Sequence, residues 1–175
     1  MWVDPDDDPR DTSTDLVEER STLVEYLRGY RLTLEMKCAD LDAEQMARRS
    51  VPPSNMSLLG MVRHLADDER HWFRRVMAGE DVPARYRTAT DRDGDWNGAR
   101  ADPQVVSEAW ASWRDERAFA ERLVTQTPDL ATVGRLPDGS PIQLRVVLVH
   151  RIEEYARHCG HADLTRERID GRVGQ

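Results

Sequence analysis

Five histidines carry most of the chemistry this sequence can offer. His150, His158 and His161 lie close together, with Glu154 between them. On a helix each residue turns by about 100°, so His150, Glu154, His158 and His161 project at roughly 0°, 40°, 80° and 20° around the axis. They share one face. Glu154 and His158 are four apart, the spacing at which two side chains of one helix reach the same ion. Two readings of that face stand side by side: a solvated polar face, or one wall of a metal site. Leu148, Ile152, Tyr155 and Cys159 project from nearly the opposite side, as a wet histidine face would require. Against this, Leu144–Val149 is apolar nearly all round, which predicts a helix start buried on every side where His150 sits.

His64 stands in Leu58-Leu-Gly-Met-Val-Arg-His-Leu-Ala66, an apolar stretch. Alone it reads as a core histidine; opposite the Glu154/His158 pair it reads as a third ligand. One His from one helix and Glu-x-x-x-His from a facing helix supply three N/O ligands across a helical core. Zinc accepts that set, as do nickel, iron and manganese. Three protein ligands leave a position open, the catalytic arrangement. Asp68, one turn after His64, is the expected orienting carboxylate. His71, among charged neighbours, is expected near the surface.

Other chemistries lack their signatures. There is no G-x-S-x-G, no P-loop, no G-x-G-x-x-G and no EF-hand loop. Cys38 and Cys159 are the only cysteines; their spacing fits neither a disulfide framework nor a zinc ribbon, and neither has a placed base. The net charge of -8 has the wrong sign for nucleic acid. No apolar run is long enough to span a membrane, and Met1–Asp8 lacks a signal pattern. A cytoplasmic protein with reduced thiols is expected. Lys37 is the only lysine among 25 basic residues, a bias that fits a GC-rich genome.

These side chains need elements to hold them. Residues 1–13 read as a disordered acidic tail ahead of one domain over 14–171. From about Thr14, Leu16, Leu23, Leu27, Tyr30, Leu34 and Cys38 form a helical stripe, with Asp15 and Glu18 placed as a capping box. A second helix is predicted from Ser54 or Ser57 to about Met77, with Gly79 as its stop. Residues 80–101 have no period and read as a long connection; this loop, which holds Trp96, is expected to cover the site mouth. Asp102-Pro103 opens a third helix, whose Trp110 and Trp113 are expected in the core, as is Trp72 of the second. A Pro137–Gly139 turn leaves room for a short hairpin. Ser140-Pro141-Ile142-Gln143 reads as the start of a fourth helix ending near Ile169 and Gly171. The fold class is all-α: a four-helix bundle with a long crossover between the second and third helices, which lets those two run parallel.

Ser57–Ala66, Glu153–Leu164 and the terminal Asp163–Gly171 resemble the DinB superfamily, in its mini-circle protein branch, over roughly residues 14–171. The resemblance implies the same four-helix bundle. It implies a metal triad of one histidine on the second helix and two ligands four apart on the fourth: His64, Glu154 and His158. Glu154 stands where many members carry His; the metal-binding bundle of mycothiol-dependent maleylpyruvate isomerase is similar in having Glu there. His161 falls where many members carry Gln, which implies a place beside the ligands or a fourth ligand, and His150 is expected to line the cavity. The activity implied is thiol transfer: a divalent metal, zinc first, presents a low-molecular-weight thiol as a thiolate at neutral pH. Mycothiol is the thiol that fits an actinobacterial composition, and a small electrophile is the second substrate. The alternative is a metal-binding stress-response or interaction bundle without catalysis. A homodimer through an exposed apolar face is open to such a bundle.

Overall fold

The computed structural model describes residues 3–11 and 16–174. Among them the architecture is all-α with one small hairpin: α1 Glu19–Cys38, α2 Ala43–Ala47, α3 Leu58–Glu69 continuing as a π-helix over Arg70–Met77, α4 Gly94–Asn97, α5 Pro103–Gln126, β1 Val133–Arg135, β2 Pro141–Gln143 and α6 Leu144–Asp170. The described part of the acidic segment makes a 3-10 turn at Pro5–Asp7, and Arg10 pairs with Asp8 and donates to Thr33 of α1.

α1 begins later than its apolar stripe predicts. Its N-cap is Glu18, without a side-chain cap bond. Leu16 precedes the helix and is exposed, so it does not belong to the buried stripe, while Thr14 and Asp15 lie outside the described residues. Leu27, Leu34 and Cys38 are buried as the spacing requires. Arg166 of α6 donates to the carbonyls of Lys37 and Ala39, closing the orphaned end of α1.

α3 starts where Ser57 accepts the Gly60 N–H, a serine cap. Beyond Glu69 the helix widens, and Ala78 N–H bonds the Phe73 carbonyl five residues back. Phe73 and Val76 stay buried, while Arg70 and Arg74 both reach Glu116 of α5. α5 opens with Asp102 accepting from Gln104 N–H and Pro103 in the first turn, as predicted.

Residues 141–143 differ from expectation. Ser140 and Pro141 do not start the last helix; Pro141–Gln143 pairs antiparallel with Val133–Arg135. The signals for a serine cap and a first-turn proline also suit an edge strand, and the turn ending at Gly139, with φ +85°, folds the strand back on its partner. α6 therefore starts at Leu144. Its first turns are not buried all round: Leu144, Val147 and Leu148 are buried, but Val146 and Val149 are half exposed. It ends at Gly171 in the left-handed region, φ +78°, a C-terminal glycine cap.

α1 lies along α6 and α3 along α5, and α3 also meets α6. Leu34, Leu65, Phe73, Trp113, Leu148 and Tyr155 sit in the shared core. Each such burial is worth about 1.5–3 kcal/mol, against about 0–1 kcal/mol for an exposed ion pair such as Arg117–Glu121. The core therefore sets the geometry of α3 and α6, which carry the histidines.

Candidate metal centre

His64 comes from α3, and Glu154 and His158 from consecutive turns of α6. One ligand atom of each lies within 4.8 Å of the others. His158 Nε2 is 3.6 Å from Glu154 Oε2, and the His64 and His158 ring centroids are 4.9 Å apart. Two nitrogens and a carboxylate oxygen converging this closely are a donor set for a divalent ion.

His64 is held from behind. Its Nδ1 is hydrogen-bonded to Asp95 Oδ2 at 2.8 Å. That bond fixes the tautomer and leaves Nε2 free for a ligand. Trp96 stacks on the His64 ring at 5.1 Å between centroids, with planes 28° apart. Both residues belong to α4, inside the long connection.

The connection is pinned by α3. Asp67, buried, accepts the backbone N–H groups of Arg85, Tyr86 and Arg87. Arg63 donates to the carbonyls of Gly94 and Asp95 and lies over the Tyr86 ring at 3.9 Å. Gly60 is needed here, since a Cβ would stand 2.6 Å from Trp96 Cε3. In one stretch of α3, Ser57 caps the helix, Gly60 admits Trp96, Arg63 holds the loop and His64 meets the site.

Burial keeps His158 available as a ligand. Burial, with His64 and His161 close by, pushes the His158 pKa down to about 3. Its imidazole is neutral at neutral pH and offers a lone pair. His158 Nδ1 is buried without a hydrogen-bond partner, as is His161 Nδ1. Burial pushes the Asp68 carboxyl up, but Arg151, His64 and Arg87 outweigh it and hold it below its ordinary value. Burial pushes the Cys159 thiol up to about 12 and raises Cys38 as well. Neither cysteine supplies a thiolate.

A cavity of about 530 Å3 adjoins the cluster, with His64 and Glu154 in its wall. His150 lines it edge-on to Trp72, 4.7 Å between centroids. His71 lines it too, half-buried rather than at the surface. Trp113 is fully buried, whereas Trp72 and Trp110 are only partly so.

The six residues singled out by sequence meet here in different ways. His64, Glu154 and His158 converge. His161 packs against His158 at 5.3 Å between ring centroids but stands outside the converging set. His150 lines the cavity. Asp68 also lines it, 3.6 Å from His64 Nε2, and is engaged by Arg151 and Arg87. The carboxylate hydrogen-bonded to His64 is Asp95, not Asp68. Sequence reasoning expected the loop that holds Trp96 to cover the site mouth but did not single out Asp95, because an aperiodic loop shows nothing of which side chain it delivers.

The structure is thus that of a helical protein in which facing helices share a two-histidine, one-carboxylate cluster, a group that could hold a metal ion, beside a cavity. The chain belongs to the mycothiol-S-transferase family, a DinB-like family, whose sequence profile matches residues 22–171. No curated protein sequence matches the chain. No helix among the described residues is long and apolar enough to cross a membrane.

Proposed function

We propose that this protein is a metal-dependent thiol S-transferase that joins mycothiol to a small electrophile in the cytoplasm. The observation that carries the reading is the converging His64, Glu154 and His158 set beside a cavity, in a chain of the mycothiol-S-transferase family. The fold reading beneath it takes α1, the α3–π rod, α5 and α6 as a four-helix bundle, with the Asp95–Trp96 loop in its crossover.

The residues present fit a divalent ion. Both imidazoles can offer a nitrogen, Glu154 adds a negative charge, and a buried neutral His158 has no better partner. Zinc is the first choice, with nickel, iron and manganese accepted by the same donors. A divalent ion there lowers the pKa of a bound thiol toward neutrality.

The remaining work falls to the chain. Asp95 fixes the His64 tautomer and Trp96 shields that ring from water. His150, Trp72 and His71 wall the space where an electrophile sits. In the transfer the thiol proton leaves to solvent, the sulfur electron pair forms the new C–S bond, and the leaving group departs with the electrons of the bond that breaks. Cys38 and Cys159 take no part.

The test is turnover of mycothiol with 1-chloro-2,4-dinitrobenzene by the zinc-loaded protein, followed by thioether absorbance and chloride release. The expected result is catalysis that is lost in His158→Ala. Stoichiometric metal with no turnover of any electrophile would contradict it and favour a metal-binding protein without catalysis.

A further inference from the structure

The cavity beside the cluster has a charge pattern that the thiol does not explain. Its acidic wall residues are already committed. Asp67 is spent on three backbone N–H groups, Asp68 on Arg151 and Arg87, and Glu154 faces His158. The cations are not all committed. Arg70 is tied to Glu116 and the Pro83 carbonyl, and Arg87 pairs with both Asp68 and Asp67. Arg75 lines the same cavity and makes no hydrogen bond or ion pair among the described residues. It acts on His71, whose pKa is lowered by burial first and then by Arg75, with Arg87 and Arg151 adding to it and Asp68 opposing. Three arginines and three carboxylates balance in this wall, but Arg75 is the one of its arginines without a carboxylate partner among the described residues.

Arginine recognises planar oxyanions through paired N–H donors. Trp72 and His150 supply an aromatic flank, and about 530 Å3 suits one small organic molecule. Resting on the transferase reading above, we propose that the cavity seats the electrophile and selects one that carries an oxyanion, a carboxylate or its phosphate counterpart, with Arg75 as the specificity-determining cation. The thiol brings its sulfur to the metal-facing side, and the anion of the second substrate anchors on the Arg75 side.

Binding and turnover test this separately on the zinc-loaded full chain. In calorimetric titration, 3-nitrobenzoate is expected to bind more tightly than the neutral 3-nitrobenzamide. Its affinity should fall with added salt and drop roughly tenfold or more in Arg75→Gln, as for loss of a charged hydrogen-bond partner. Phenyl phosphate in place of the benzoate shows which oxyanion is preferred; binding of either that depends on Arg75 supports the site. For turnover, mycothiol is offered 4-chloro-3,5-dinitrobenzoate and the matching amide. The C–S bond forms, the C–Cl bond breaks, chloride leaves with the electron pair and the thiol proton goes to buffer. The kcat/KM ratio of acid to amide should favour the acid and fall about tenfold in Arg75→Gln.

Equal binding of 3-nitrobenzoate to wild type and Arg75→Gln would overturn the proposal. So would binding that disappears with the metal but not with Arg75, because the carboxylate would then sit on the ion. Turnover without preference for the acid would remove the oxyanion site and leave the transferase reading standing. Arg75-dependent binding without turnover of any electrophile would do the reverse.

Discussion

Two polar clusters draw side chains from both α3 and α6, and they are built in opposite ways. Around Glu69 everything is matched. Its carboxylate accepts Arg31 through both oxygens and the Tyr155 hydroxyl as well, and Tyr155 accepts in turn from Trp113. Glu69, Trp113 and Tyr155 have no exposed surface. Around His158 the donors converge on one another instead, and His158 and His161 each keep a buried nitrogen without a partner. Glu154 and Tyr155 are neighbours in sequence yet serve different clusters, because consecutive helical residues point about 100° apart. Arg151 sits between the two. It donates to Asp68, lies over the Tyr155 ring at 5.1 Å, and has its Nε and Nη2 unpartnered. The first cluster is saturated, whereas the second keeps buried nitrogens without a partner, and such groups call for an explanation.

The comparison breaks most visibly at Glu69. Replacing it with alanine leaves buried Arg31 with only a 3.7 Å approach to the part-exposed Glu121, and a loss of about 3–5 kcal/mol in unfolding free energy is expected, measured by urea denaturation of the metal-free protein. A loss below 1 kcal/mol would mean the cluster is not closed.

On the other side, Asp95→Ala should leave the fold intact by circular dichroism. It should weaken metal binding about 10–100-fold, measured by competition with a chromophoric chelator. Unchanged affinity would remove Asp95 from the positioning of His64.

Acid should distinguish the regions next. His158 is held down to about 3 from an ordinary 6.5, so between those values the unfolded chain binds the extra proton. Metal-free stability should therefore fall as pH drops from 6.5 toward 3, and His158→Ala should flatten that slope. Burial pushes Glu116 up, but Arg74, Arg85 and Arg70 outweigh it and hold the carboxyl below its ordinary 4.5. Its contribution is present above pH 4.5 and is lost only as pH falls below that value. Denaturation midpoints across pH 3–7 in wild type and His158→Ala separate the two. The smallest effect belongs to His71→Ala, which should retain the metal fully by elemental analysis; loss equal to that of His158→Ala would show the site misplaced.

Much of this was readable from the chain. The i, i+4 spacing of Glu154 and His158 and the apolar setting of His64 pointed to the converging set, because helix geometry makes such spacing meaningful. Asp95 was not readable: its position depends on Asp67 and Arg63, charged residues of α3 that hold a loop with no period of its own. The widening after Glu69 leaves the apolar pattern nearly unchanged and so shows no signal. Ser140 and Pro141 were misread because their preferences suit a strand edge as well as a helix start, and only pairing with Val133–Arg135 decides between them. Val146 and Val149 show that an apolar run need not be covered on every side.

The proposed function requires the unsaturated cluster to hold a divalent ion. Elemental analysis of protein purified without a metal-binding tag tests it most directly, with wild type and His158→Ala prepared side by side. The expected result is close to one equivalent of zinc, nickel, iron or manganese in wild type and almost none in the variant. Wild-type protein without metal, and without uptake when metal is added back, would contradict it.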